Sequence, residues 1–256
     1  MKVVSRLRER PESLGIGTEK ILAIILSVSA HPDDETLFAG GTLAMYAEQG
    51  HDVYLLDTTR GEGGEAGDPP LATPETLGQV REQEARNAAK ALGARDIFFL
   101  PFIDPHMEID GTPLPIDVAL EEFSGAIKGY IDKIHPDMVI THGSDGEYGH
   151  PQHVYTHQAV REALSQVKRY IVLMSWQAYY ESERYARILN QDDPADIIRD
   201  ITPWKEAKIK AALCHRTQHT MFLRNSGAPS VTAMIWMIES FHIWIGPVPE
   251  ELKKIF

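Results

Sequence analysis

The chain has one cysteine, Cys214. No disulfide can form within it, and no cysteine-based zinc site exists. Positive charge is also scarce: 25 Lys and Arg face 37 Asp and Glu, for a net charge of −12. Nucleic acids and anionic membrane surfaces both need clustered cations, so neither is an expected partner. The run ILAIILSVSA at 21–30 is ten residues long, where a membrane-spanning helix needs about 20. The N-terminal MKVVSRLRERPESLG lacks the apolar core and small-residue cleavage site of a secretory signal, which makes the cytoplasm the expected compartment. Internal repeats, low-complexity tracts and an interdomain linker are missing too. Residues 1–256 are therefore read as a single domain, less regular from about residue 181.

What the chain has is apolar residues, 43% of the total, enough for a sizeable core. They recur as short runs, each followed by a helical pattern. The runs are ILAIILSVSA (21–30), DVYLLDTT (52–59), DIFFLP (96–101), DMVITHG (137–143) and YIVLMSWQAYY (170–180). Helical patterns follow after 31, over 76–93, over about 116–135 and over 153–167. Strands apolar on both faces that alternate with helices predict an α/β fold with a mostly parallel sheet covered by helices. In such sheets ligands bind outside the carboxyl ends of the strands. HPDDE, TRGEGGE, IDPHME and HGSDGEYGHPQH follow the first four strands, which puts four polar segments at one edge. The stretch 60–76 is rich in Gly and Pro and reads as a long binding loop or lid.

The chemistry concentrates in two of these segments. After the first strand come His31, Asp33 and Asp34. An aspartate at a helix start can cap free backbone N–H groups, which explains one acid but not a second acid with an imidazole. After the fourth strand, YGHPQHVYTH brings His150, His153 and His157, with Pro151 suited to the first helical turn. His157 is expected on the helix surface or just behind the site. Two imidazoles and a carboxylate form a catalytic zinc site with room for water. One reading has His31, Asp34 and His153 on Zn²⁺, with Asp33 left as a base. Another takes His31 and Asp33 as an H-x-D pair for Fe(II) and implies an oxygenase. The strand–helix alternation suits a hydrolase better, and the spare carboxylate has a hydrolytic task.

These residues resemble a known family. AHPDDE at 30–35 followed by GGT at 40–42 is similar to the first motif of the LmbE-like, or PIG-L, de-N-acetylases. YGHPQH at 148–153 resembles their GHPDH motif. RGEGGE at 60–65, the RxxE beginning at Arg81 and KIKAALCHRTQ at 208–218 also look like family segments. The resemblance implies a Rossmann-like three-layer sandwich and hydrolysis of an N-acetyl group from an amino sugar, with zinc as cofactor. Carried over, His31, Asp34 and His153 are the ligands and Asp33 is the general base toward a metal-activated water. His150 acts on the oxyanion or as an acid, and Tyr148 helps bind the intermediate. Arg81, Glu65 and Asp104 fall at positions associated with substrate. One residue departs from the pattern: the family has Asp where this chain has Gln152. An amide cannot stabilise an imidazolium by charge, so His150 is expected to polarise a carbonyl as a neutral ring. Asp145 or Glu147 is a candidate replacement acid. Gln152 is also the feature that favours the alternative, a catalytically silent metal- or sugar-binding protein.

Weaker signals remain. Gly15 and Gly17 precede the strand and lack the third glycine of a dinucleotide fingerprint. Gly40 and Gly41 are expected to permit close helix packing or backbone approach to a ligand. Trp176, Tyr179, Tyr180 and Tyr185 are expected as core or as a sugar-stacking face. His215, Thr217 and Gln218 lie on a helical stretch near the site only by resemblance. The apolar segment 231–246 reads as core or as a subunit interface, and a homo-oligomer is expected from it.

Overall fold

The computed structural model describes residues 22–106, 112–168, 171–176 and 193–244. The apolar runs become the first five strands: β1 (Ile24–Ser29), β2 (Asp52–Asp57), β3 (Asp96–Phe99), β4 (Met138–Thr141) and β5 (Val172–Trp176). Two more, β6 (Ile197–Asp200) and β7 (Ile238–Ile243), complete a sheet of order β3-β2-β1-β4-β5-β7-β6. The pairs among β1 to β5 are parallel, and β7 runs antiparallel to both β5 and β6.

Alternation along the strands divides the core into two layers. Ile25, Val53 and Leu55 face α1 (Asp34–Glu48), α2 (Leu77–Leu92) and α6 (Lys205–Ala212). Leu26, Val28 and Leu56 face α3 (Leu120–Ile134) and α5 (Pro151–Ser165). Each fully buried aliphatic side chain contributes about 1.5–3 kcal/mol, so both faces of the sheet must be covered. The result is the expected Rossmann-like α/β/α sandwich. Its strand order reverses between β1 and β4, the switch point where a crevice opens beyond the strand ends.

Local sequence explains the joints. Pro151 occupies the first turn of α5, where its missing N–H is no loss. Gly93 ends α2 at φ 80°, which a side chain would resist. Gly40 and Gly41 serve helix packing: a Cβ on Gly41 would lie 2.5 Å from Ile201 Cβ, and one on Gly40 would lie 3.2 Å from Lys208 Cγ. Loop 60–76 has no helix or strand.

The apolar segment near the C-terminus enters both the sheet and the core. It supplies α8 (Val231–Met234) and β7, which lies between β5 and β6 with Phe241 fully buried. Trp236 and Ile238 of the same segment stay 37% and 46% exposed. Among the described residues no helix is long and apolar enough to cross a membrane.

Candidate active site

The switch point brings the two His-Pro segments together. His31 and Asp34 come from the β1–α1 turn, and His150 and His153 from the start of α5. His31, Asp33, Asp34 and His153 are all buried. Asp34 Oδ2 accepts the His31 backbone N–H at 2.9 Å and lies 3.2 Å from His31 Nδ1. Asp34 Oδ1 is 3.4 Å from His153 Nε2. The His31 ring centroid is 5.3 Å from that of His153 and 5.0 Å from that of His150.

Two overlapping groups could hold a metal ion, His31–His150–His153 and Asp34–His142–His153. The expected trio of His31, Asp34 and His153 is thus split between them, with His153 common to both. His142, which sequence reasoning missed, is a poor ligand. Its Nε2 accepts the Ala30 N–H at 2.9 Å and its Nδ1 faces Glu147 Oε2 at 3.0 Å, so neither nitrogen keeps a free lone pair. His153 is the opposite case. Its Nδ1 is 2.6 Å from Glu147 Oε2, while its buried Nε2 has no hydrogen-bond partner. Imidazole nitrogens beside carboxylate oxygens suit a divalent transition metal such as zinc, and the orphaned Nε2 is the lone pair such an ion takes up.

Asp33 occupies the N-cap position of α1 but makes no capping bond. Its backbone sits at φ 117°, ψ −28°, in a region where a non-glycine residue is strained. Arg81 stabilises that turn. Its NH2 donates to Pro32 O at 2.7 Å and to Asp33 Oδ2 at 3.3 Å, and its NH1 donates to Gly61 O at 2.9 Å. Gly61 and Gly64 make the room, since a Cβ on either would strike the guanidinium at 2.3 and 2.2 Å. Arg81, expected at a position associated with substrate, is buried, with NH1 and NH2 bonded to these protein oxygens. Burial raises the Asp33 carboxyl well above the usual range, although Arg81 opposes the shift. Burial also pushes Asp34 up, but its imidazole neighbours, His153 first, outweigh burial and hold it well below that range. Adjacent aspartates thus stand at opposite ends of the scale.

The remaining expected residues are placed as follows. His150 is half-buried, and its Nδ1 has no partner. Burial, then His153 and His31, push its pKa down to about 2, which agrees with a neutral ring. Tyr148 is 58% exposed and stands edge-on to His150 and His153, at 5.8 and 5.5 Å between centroids. Asp104 is buried: Oδ1 accepts from Gln152 Nε2 at 2.8 Å and Oδ2 from the Gly63 N–H at 3.2 Å. Gln152 does not support His150. Its Oε1 faces His31 Nε2 at 3.0 Å. Glu65 lies apart, paired with Arg224 at the surface while its carbonyl accepts from Gln218 Nε2.

Trp176 is buried against His142 and Phe38, not open to a sugar. Tyr179, Tyr180 and Tyr185 fall outside the described residues. His157 is buried behind the site with Nδ1 on His142 O at 2.8 Å. His215 reaches Thr36 Oγ1 at 3.2 Å, one residue from Glu35.

A family model described as GlcNAc-PI de-N-acetylase, PIG-L, matches residues 26–164. The 1D-myo-inositol 2-acetamido-2-deoxy-alpha-D-glucopyranoside deacetylase of Mycobacterium sp. (strain KMS) is 32% identical over 252 residues, covering 84% of this chain and 80% of its own. The N,N'-diacetylchitobiose deacetylase from Pyrococcus horikoshii superposes with a TM-score of 0.64 at 19% identity, covering 88% of this chain and 85% of that one. The 4-carboxy-2-hydroxymuconate hydratase from Pseudomonas putida KT2440 gives 0.63 at 21% identity, covering 90% and 99%. At these identities the two structures speak to the fold alone, and the hydratase marks how little a fold says about the reaction.

Proposed function

Because the chain belongs to the GlcNAc-PI de-N-acetylase (PIG-L) family, we propose that it is a zinc-dependent hydrolase that removes the acetyl group from an N-acetylglucosamine-containing small molecule. The observation that carries this reading is the buried His153 Nε2. It has no hydrogen-bond partner and lies 3.4 Å from Asp34 Oδ1, with His31 on the far side of the same carboxylate. His31, Asp34 and His153 would hold the metal. Zinc bound there would acidify a water molecule and polarise the acetyl carbonyl.

The chain's own groups divide the rest of the work. Arg81 holds Asp33 Oδ2, so the other carboxylate oxygen takes the proton of the attacking water. A raised pKa suits a carboxylate that must keep this proton and then deliver it to the departing amine. His150, neutral, and the Tyr148 hydroxyl donate hydrogen bonds to the oxyanion; one such donor is worth about 10²–10³ in rate. Water adds across the amide and the products are acetate and the free amine. Asp104, which accepts from Gln152 and lies 3.7 Å from His31 Nε2, supports that ring, and half-buried Glu65 is kept as an expected contact for substrate. The lone Cys214 and the net charge of −12 support a cytoplasmic protein with a small-molecule partner.

The test is acetate release by the zinc-loaded protein. The panel is an N-acetylglucosaminyl inositol, N,N'-diacetylchitobiose and free N-acetylglucosamine. Acetate from at least one of them is expected. Tight zinc binding without acetate from any would favour the silent binding protein instead.

A further inference from the structure

His31 and His153 approach Asp34 from different elements; each turns one ring nitrogen toward that carboxylate, Nδ1 at 3.2 Å for His31 and Nε2 at 3.4 Å for His153, and the other toward a different kind of partner. His153 Nδ1 meets a carboxylate, Glu147 Oε2, at 2.6 Å. His31 Nε2 meets an amide oxygen, Gln152 Oε1, at 3.0 Å. We propose that Glu147 and Gln152 are positioning residues that lock the two imidazoles in complementary tautomers. His153 then presents Nε2 and His31 presents Nδ1 as the basic nitrogen. The proposal rests on the reading that these two rings hold the metal.

Glu147 is built for this. Three donors converge on its two oxygens: His142 Nδ1–H at 3.0 Å, His153 Nδ1–H at 2.6 Å and the Gly143 N–H at 2.6 Å. Only a carboxylate offers acceptors with no competing donor. The backbone at Glu147 has φ 63°, and its neighbours with positive φ, Gly146 and Gly149, are glycines. A glutamate is strained there, so its side chain must compensate. Both imidazoles meet Oε2 and the Gly143 N–H meets Oε1, so an amide in place of the acid must turn its N–H₂ either toward the Gly143 N–H or toward both rings.

Gln152 has its amide orientation fixed. Its Nε2 donates to Asp104 Oδ1 at 2.8 Å and to Leu114 O at 3.1 Å, which leaves Oε1 for His31. An aspartate here, the residue usual in the family, would be one methylene shorter. It would also set a second carboxylate against Asp104 with no donor between them. The amide is therefore matched to this site, not a defect in it.

Zinc affinity of the full chain, measured by competition with a chromophoric chelator, tests this alongside far-UV circular dichroism and thermal midpoints. Glu147→Gln, Gln152→Leu and Gln152→Asp should each weaken zinc binding about 10–100-fold while the fold persists. Glu147→Gly relieves the positive φ but leaves three donors without their acceptor, so its thermal midpoint should fall together with the same loss of affinity. A purely structural role would leave affinity intact. Long-range ¹H–¹⁵N spectra of the wild type should show His153 protonated at Nδ1 and His31 at Nε2. Unchanged affinity in the variants, or the reverse tautomers, would overturn the proposal. His31→Ala and His153→Ala separate the two failures. If both lose zinc while the Glu147 and Gln152 variants keep it, only the positioning role is wrong. If both keep zinc, the metal reading itself falls.

Discussion

Two buried clusters of charge lie against α1, and they are built in opposite ways. One joins α1, α6 and β7. Lys208 Nζ donates to Glu239 Oε1 at 2.8 Å, and the remaining capacity of that carboxylate is filled by the Gly41 and Thr42 N–H groups at 2.8 and 2.7 Å. Both side chains are 1% exposed. The other cluster, at the first turn of α1, holds Asp33, Asp34, His31, His150 and His153. It leaves His150 Nδ1 and His153 Nε2 without partners and forces Asp33 into a strained backbone. Burial and charge are common to both. A buried group with unused bonding capacity is costly, and in the second cluster two imidazole nitrogens carry that cost. The joint pairs its charges with each other, whereas the site keeps two imidazole lone pairs unused.

Substitutions in each cluster sharpen the contrast. Asp33→Asn should have the largest effect. It should lower kcat by about 10²–10⁴ while zinc affinity and the denaturation midpoint stay near wild type, as steady-state kinetics and a urea titration would record. A retained kcat would remove Asp33 from the chemistry. Lys208→Met should do the reverse. It strands Glu239 in the core, and about 3–5 kcal/mol of stability should go, with zinc-site chemistry preserved in the fraction that folds. A small loss in the urea midpoint would mean that Glu239 relaxes toward water. Arg224→Met, at the exposed Glu65 pair, sets the baseline. Solvent screens that pair, and about 0–1 kcal/mol is the expected change. A larger loss would mark the Glu65–Arg224 contact as part of a closing element.

Much of this was legible in the chain. The five parallel strands announce themselves as apolar runs, because strands buried on both faces must be apolar throughout. Two His-Pro pairs after two such runs placed His31 and His153 at one edge. The antiparallel end of the sheet was not legible: β6 is short, and β7 mixes Glu239, Ser240 and His242 with apolar residues. Glu239 reads as a solvated residue until Lys208 is seen beside it. Arg81 and Gln152 were assigned other tasks, and His142 none, because their partners come from distant segments: Pro32 O and Asp33 for Arg81, His31 for Gln152, Ala30 N for His142. Glu147 could be named as a candidate acid, but its imidazole targets could not.

The sequence by itself determined the layer architecture and which side chains gather at the strand ends. Hydrophobic periodicity and turn residues act over a few positions, and a parallel sheet sends every strand end to the same edge. Only the tertiary structure decided which nitrogen of each imidazole is left free, which carboxylate gains a proton and which loses it, and which buried charges are already satisfied. Those outcomes depend on partners from separate segments, some of them more than 100 residues apart, and a lone pair a few ångströms from its neighbour has no counterpart in a pattern of residue types.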